Sequence, residues 1–302
     1  MKKLKYLVMA AIAAVVFACG TTRTVPITGR KQNILVSDEQ VLSLSNQEYT
    51  NYMKSAKLST NSANTAMVKR VGQRLATAVE TYLNEHGMAA DAKEYSWEFN
   101  LVQDKSVNAF CMPGGKIVVY EGLLPITQDE ASLAIVLGHE IAHAVAKHSA
   151  EQMSKQIKNQ YGTQILGQVL NAAGVSSSTT QLAQSIAQKG LQFRSLKYSR
   201  DNESEADHMG LIFAAMAGYD PNVAVTFWQR MAQATGGNNQ SDIFSDHPSD
   251  AKRIAAIKQE LPEALTYYKP VKTTTTTKKT TTSTKKKTRT TSKKKKTTTR
   301  RK

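Results

Sequence analysis

Residues 137–148, LGHEIAHAVAKH, set His139, Glu140 and His143 into an otherwise apolar helix. Ile141, Ala142, Ala144, Val145 and Ala146 give this stretch the composition of a core element. A polar side chain taken into a core without partners costs about 2–7 kcal/mol, and a charged one more. Any fold that buries this helix must therefore bring compensating groups, or an ion, to these three side chains.

His139 and His143 are four residues apart, so on a helix they lie about 40° from each other, one turn along, and face one side. Neutral imidazole is a good zinc ligand. Glu140 sits between them, near any water such a metal would bind, where a carboxylate can take the proton of an acidified water. H-E-x-x-H on a helix is the zinc-peptidase signature. A catalytic zinc needs a third protein ligand and an open position. The metzincin solution requires Gly at 146 and His at 149, and the chain has Ala146 and Ser149. His148, nine residues beyond His139, projects to the opposite face of a continuous helix and reads as a cation near its end. The later segment SRDNESEADHMG offers carboxylates instead. Glu203 and Asp207 are four apart and share a face, whereas Glu205 points about 160° away and reads as a solvated charge. That helix then supplies one ligand, Glu203, and one carboxylate, Asp207, to orient a ligand histidine through its second N–H. His208 reads as structural or exposed.

Hydrophobic periodicity frames the site. TTRTVPITGRKQNILVSDEQ reads as an exposed lead-in, followed by a long helical pattern with Val41–Tyr52 in its first part and Met67–Val79 in its second. YSWEFNLVQD alternates Trp97, Phe99 and Leu101 as a half-buried strand, and CMPGGKIVVYEG adds a turn and a second strand over 116–120. Further helices are expected over 129–148, within 151–195 around a GVSSSTT break, over about 200–217 up to AGYDP, and over 223–231. A last one starts in DHPSDAKRI, with Ser249 or Asp250 as cap. The fold class is α+β, mainly helical, with a small sheet beside the helix that carries the histidines.

The net charge of +16 is a property of the ends. Residues 271–302 hold 14 Lys/Arg and no acid, and Lys2, Lys3 and Lys5 open the chain, which leaves 23 bases against 24 acids over 6–270. Lys2–Lys5 followed by the apolar run Tyr6–Ala18 has signal-peptide length and is too short to span a membrane well. The Ala18–Cys19 junction resembles a bacterial lipobox, so Cys19 is expected to carry the lipid anchor. Cys111, the other cysteine, reads as a small buried residue. The expected organisation is a leader over 1–18, one domain over 19–270 and a disordered Thr/Lys-rich tail over 271–302.

GHEIAHAVAKH, SRDNESEAD, AGYDP and DHPSDAKRI, in this order, resemble the M48 family of zinc metallopeptidases. VPITGRKQNILVSDEQ and NAFCMPGGKIVVYEGLL also resemble segments of its envelope-located members, so the resemblance covers about residues 24–262. It implies a zincin-like core, with one zinc held by His139, His143 and Glu203 and with Glu140 as general base. It implies that His247 either stabilises the oxyanion or occupies the open metal position at rest, and that Arg253 lies near the same site, as the other catalytic candidate to stabilise the oxyanion. It makes the strand of Gly115, Lys116, Ile117 and Val118 the edge on which an extended peptide is bound. Residues 151–195 resemble helices that can cover the cleft in such enzymes. No apolar run after residue 18 approaches the length of a span, which sets aside the members with many membrane helices.

The expected function is a zinc endopeptidase of the bacterial cell envelope that hydrolyses misfolded or unassembled proteins, lipid-anchored at the outer membrane and facing the periplasm. The alternative is an envelope assembly factor or chaperone whose protease site is largely latent. The basic tail fits anionic lipid or polysaccharide better than nucleic acid, which a secreted, anchored chain rarely meets.

Overall fold

The structure, a computed structural model, describes residues 21–169, 193–234 and 251–270. It opens with an antiparallel hairpin, β1 (Thr21–Thr24) and β2 (Lys31–Ile34). Helices α1 (Asp38–Ser55) and α2 (Ser62–Glu85) follow. Then come three strands, β3 (Glu98–Val102), β4 (Ala109–Met112) and β5 (Lys116–Tyr120). The remaining long helices are α3 (Glu130–Val145), α4 (His148–Val169), α5 (Arg200–Met216), α6 (Val223–Ala234) and α7 (Ala251–Tyr267). The mainly helical α+β class expected from the sequence is what forms. Among the described residues no helix is long and apolar enough to cross a membrane.

The three-stranded sheet has the order β3-β5-β4, with β3 parallel and β4 antiparallel to β5. Its two faces serve two cores. Ile117 and Val119 of β5 join Phe99, Leu101, Ala109 and Cys111 in the core built with α2, α3 and α5. Val118 and Tyr120 join Phe110 and Met112 in a second core under α1, β2 and the start of α4. A strand buried on both faces carries an unbroken apolar run, and IVVY is such a run. β5 is therefore the central strand, which corrects the expectation that Gly115, Lys116, Ile117 and Val118 form a substrate-binding edge. Its main-chain groups face β3 on one side and β4 on the other. Lys116 is buried, its Nζ donating to Ser96 O at 2.7 Å and Glu98 Oε1 at 2.6 Å, which clamps β5 to β3. The outer side of β3 meets residues 57–59 through Ser59 N to Leu101 O and Gln103 N to Lys57 O. β4, packed on α3, is the outer strand on the other side.

The lead-in is a folded hairpin that stays exposed along most of β1 but is anchored by a few buried residues. Val25 and Ile34 are buried, and the Gln32 amide donates to Ala146 O at 3.0 Å, at the end of α3. Neither β1 nor β2 is long or strongly apolar, so periodicity gives little sign of either.

α3 starts at Asp129, whose carboxylate accepts from Ser132 N at 2.7 Å, and is buried along nearly its whole length. It ends at Val145, three residues earlier than expected. Lys147 adopts a left-handed backbone (φ 52°) that a non-glycine residue rarely takes. Its ammonium reaches Asp38, Asp91 and Glu94 at 2.9–3.0 Å, which holds the turn in place.

α3 and α5 cross through glycines. A Cβ on Gly210 would lie 2.7 Å from His139 N, and one on Gly138 would lie 2.6 Å from Gly210 O. This close approach lets side chains of the two helices meet across a short gap. Gly210→Ala gains about 1 kcal/mol of helix propensity but overpacks backbone against backbone, at about 1–3 kcal/mol or more. The clash should win, lowering the thermal midpoint by roughly 2–8 °C. A midpoint equal to or above wild type would show that the crossing has room to spare.

Candidate metal centre

α3 and α5 bring His139, His143 and Glu203 together, all buried. His139 Nε2 and His143 Nε2 lie 3.1 Å apart, and each is 3.4–3.5 Å from a Glu203 carboxylate oxygen. The far side of each ring fixes its tautomer. His139 Nδ1 donates to Asp207 Oδ1 at 2.9 Å. His148 Nε2 donates to Glu205 Oε2 at 2.9 Å, which leaves His148 Nδ1 to accept from His143 Nδ1, also at 2.9 Å. Both Nδ1 atoms then carry the proton, and both Nε2 lone pairs point at the carboxylate. Two lone pairs and an anion so arranged repel each other, and a cation among them relieves it. Four-coordinate zinc with bonds of about 2.0–2.1 Å wants ligand atoms about 3.3 Å apart, the spacing found. The donor set fits a divalent metal, and the expected assignment of Glu203, not Glu205, is the one that matches the geometry.

Asp207 is where the helical spacing put it, behind His139. Burial works to raise its carboxyl, but Arg253 and His139 outweigh that and hold it below the usual carboxylate range. Arg253 Nη2 donates to Asp207 Oδ1, and its guanidinium lies 3.6 Å over the Trp228 ring. Arg253 is therefore neither an ordinary helix charge nor a group aimed at a reacting carbonyl. It sits on the Nδ1 side of His139, 3.1 Å away, whereas the metal donors face the Nε2 side. The described contacts of Arg253 are thus with Asp207, His139 and Trp228, which suits a group that holds Asp207 behind His139. Asp207→Asn should raise the metal dissociation constant by about 10–100-fold, read by chelator competition on the purified protein. An unchanged constant would mean that Asp207 has no part in orienting His139.

Glu140 is buried on the same turn as His139, and its charge contributes to raising the Tyr198 hydroxyl and the Cys111 thiol above their usual ranges, mainly a result of burial. Cys111 is buried, as expected. His208 is half-buried and pairs with Glu263 at 3.1 Å.

Two assignments made from the helical wheel are overturned. His148 does not project from the far face of α3. The Lys147 turn ends that helix, and His148, fully buried, starts α4 and folds back against His143. Glu205 is not solvated. It is buried, accepting from Thr28 Oγ1 at 2.5 Å, Arg30 Nε at 2.9 Å and His148. Burial works to raise its carboxyl, but His148, Arg30 and Thr28 hold it down at about 2. Burial also keeps His148 below the usual imidazole range despite Glu205. Tyr198, unremarked in the sequence, stacks on His143 with ring centroids 4.1 Å apart and shares a hydrogen bond with Ser149 Oγ at 2.9 Å. Its one sequence signal is its position next to the Ser199 cap of α5. His247, Cys19, the leader over 1–18, the tail over 271–302, the caps Ser249 and Asp250, and most of 151–195 beyond α4 lie outside the described residues.

Comparison with known proteins agrees with this geometry. A 37% identity over 173 residues, 57% of this chain and 48% of the other, relates it to the mitochondrial metalloendopeptidase OMA1 of Schizosaccharomyces pombe. The human mitochondrial metalloendopeptidase OMA1 is 31% identical over 244 residues, 80% of this chain and 46% of that one. The beta-barrel assembly-enhancing protease of Escherichia coli is 27% identical over 186 residues, 58% of this chain and 37% of that one. The chain thus spans about half or less of the length of these relatives. The family model for peptidase family M48 matches residues 62–261. That match runs from α2 to the middle of α7 and takes in all three metal donors, and the chain belongs to peptidase family M48.

Proposed function

We propose that the protein is a zinc-dependent endopeptidase of the bacterial cell envelope, acting on misfolded or unassembled polypeptides. The observation that carries this is the triangle of His139 Nε2, His143 Nε2 and the Glu203 carboxylate, with Glu140 on the same turn. The metal, when bound, supplies Lewis-acid polarisation of a carbonyl and a more acidic water. The Glu140 carboxylate accepts the proton of the attacking water and passes it to the leaving amine. Asp207 and Arg253 keep His139 in one tautomer while this happens. An extended peptide adds to the outer side of β4, where, among the described residues, no strand is paired. Main-chain pairing there orients a scissile bond beside α3 while reading little sequence.

The envelope assignment rests on the basic, apolar leader and the Ala18–Cys19 junction. The test is metal content and casein turnover of protein lacking the leader, with and without chelator. Stoichiometric zinc and chelator-sensitive turnover support the reading, and turnover that survives complete metal removal overturns it. Cys19→Ser should release the body from membranes, and retention in high salt would place the anchor elsewhere. The basic tail is proposed to hold the body near anionic lipid or polysaccharide, an attraction that deletion of 271–302 should remove. A second reading, an assembly factor with a mostly latent site, is favoured by the similarity to the beta-barrel assembly-enhancing protease of E. coli. It predicts that function in vivo survives loss of Glu140.

A further inference from the structure

The candidate metal centre is braced on two sides. Behind His139 stand Asp207 and Arg253. Behind His143 stands a longer chain of contacts: His143 Nδ1 to His148 Nδ1 at 2.9 Å, and His148 Nε2 to Glu205 Oε2 at 2.9 Å. Glu205 in turn accepts from Thr28 Oγ1 at 2.5 Å and from Arg30 Nε at 2.9 Å. Thr28 and Arg30 belong to the turn between β1 and β2, more than 170 residues from Glu205 in sequence.

We propose that His148 and Glu205 are positioning residues for the metal ligand His143, and that the N-terminal hairpin, through Thr28 and Arg30, holds them in place. The proposal rests on the metal reading above and extends it to a part of the chain outside the span matched by the family model.

The hydrogen bonds have one consistent direction. An ionised Glu205 only accepts, so His148 presents Nε2–H to it and keeps a lone pair on Nδ1. That lone pair accepts the proton of His143 Nδ1, which puts the lone pair of His143 on Nε2, facing His139 and Glu203. A carboxylate reaching a ligand histidine directly is the usual arrangement. Here a second imidazole is interposed, because the left-handed turn at Lys147 places His148 where a carboxylate would otherwise stand. Arg30 bridges two carboxylates, also donating to Glu151 Oε1 at 3.1 Å and Oε2 at 2.9 Å. Glu151 accepts from Asn202 Nδ2 at 3.0 Å as well. It shares the clamp with Glu205 without touching either histidine, which makes it the control.

The test uses the full chain and zinc itself. Dissociation constants for zinc are measured by chelator competition, the visible spectrum is recorded with cobalt(II) in place of zinc, and thermal midpoints are taken alongside. His148→Phe, which leaves His143 Nδ1–H without its acceptor, should weaken zinc binding by about 10–100-fold and alter the cobalt spectrum. Glu205→Gln keeps an acceptor for His148 but loses its charge. It should shift both readouts in the same direction by less, and it decides the matter if His148→Phe fails to fold. Glu151→Gln, which loosens Arg30 but removes no group in contact with either histidine, should lower the midpoint and weaken zinc binding by less than Glu205→Gln does. Wild-type zinc affinity in both His148→Phe and Glu205→Gln would overturn the proposal, as would a loss in Glu151→Gln as large as theirs. A wild-type chain that binds no zinc would instead overturn the metal reading on which the proposal stands.

Discussion

Glu140→Gln is expected to keep the metal at wild-type stoichiometry while casein hydrolysis falls by at least about 10²-fold, the lower end of what a general acid–base group contributes. The two outcomes separate because the three donor atoms lie on His139, His143 and Glu203, and Glu140 is not among them. Glutamine has nearly the same shape as glutamate, so the buried site can stay packed. Its amide cannot take a proton from water, so the step assigned to Glu140 has no acceptor. Metal content by elemental analysis and turnover of a labelled casein check both halves on one preparation. Activity within a few-fold of wild type would place the base elsewhere, and loss of metal would make Glu140 a ligand. The same variant divides the proteolytic reading from the assembly reading, because a purely assembling protein would still complement a strain lacking it.

The parts of this site legible in the sequence were those governed by the 3.6-residue period inside a single helix. His139 with His143 and Glu203 with Asp207 are each four apart, and the structure puts each pair on one face. The same rule failed as soon as a helix ended without a glycine or proline to announce it. Lys147 carries the left-handed turn through ion pairs to Asp38, Asp91 and Glu94, partners 53 or more residues away and invisible to local pattern. A helix continuous to residue 148 would project His148 to the far side; the turn at Lys147 brings it back to His143. For Glu205 a helical wheel gives a direction and not what covers it. What covers it is a hairpin of two four-residue strands, too short for alternation to register. β5 is a different kind of miss. IVVY was legible as a central strand from its unbroken apolar run, and the family resemblance led instead to an edge. Arg253 shows the remaining gap: sequence order placed it near the site, but only the fold decides on which side of an imidazole a guanidinium lies.

Glu203→Gln is expected to cause the largest loss of metal of any single change here, beyond the roughly 10–100-fold typical for a group that only orients a ligand. Glu203 and Glu205 are two residues apart on α5 and both are buried, so neither burial nor charge distinguishes them. Geometry does. The Glu203 carboxylate lies 3.4–3.5 Å from both Nε2 atoms, while that of Glu205 meets His148, Thr28 and Arg30. A neutral amide in place of Glu203 removes an anionic donor and leaves two imidazoles to hold a divalent cation. The helical-wheel expectation, that Glu205→Gln is silent, is replaced by a graded one. Glu203→Gln should lose the metal, Glu205→Gln should bind it more weakly, and Glu140→Gln should bind it as wild type does. Chelator competition on the three proteins, with thermal midpoints to exclude unfolding, reads this order directly. A Glu203→Gln protein that retains one zinc per chain at wild-type affinity would remove Glu203 from the ligand set. The zinc held by the two imidazole nitrogens, 3.1 Å apart, would then take its anionic donor from another residue, and the proton path assigned to Glu140 would lose the metal position that defines it.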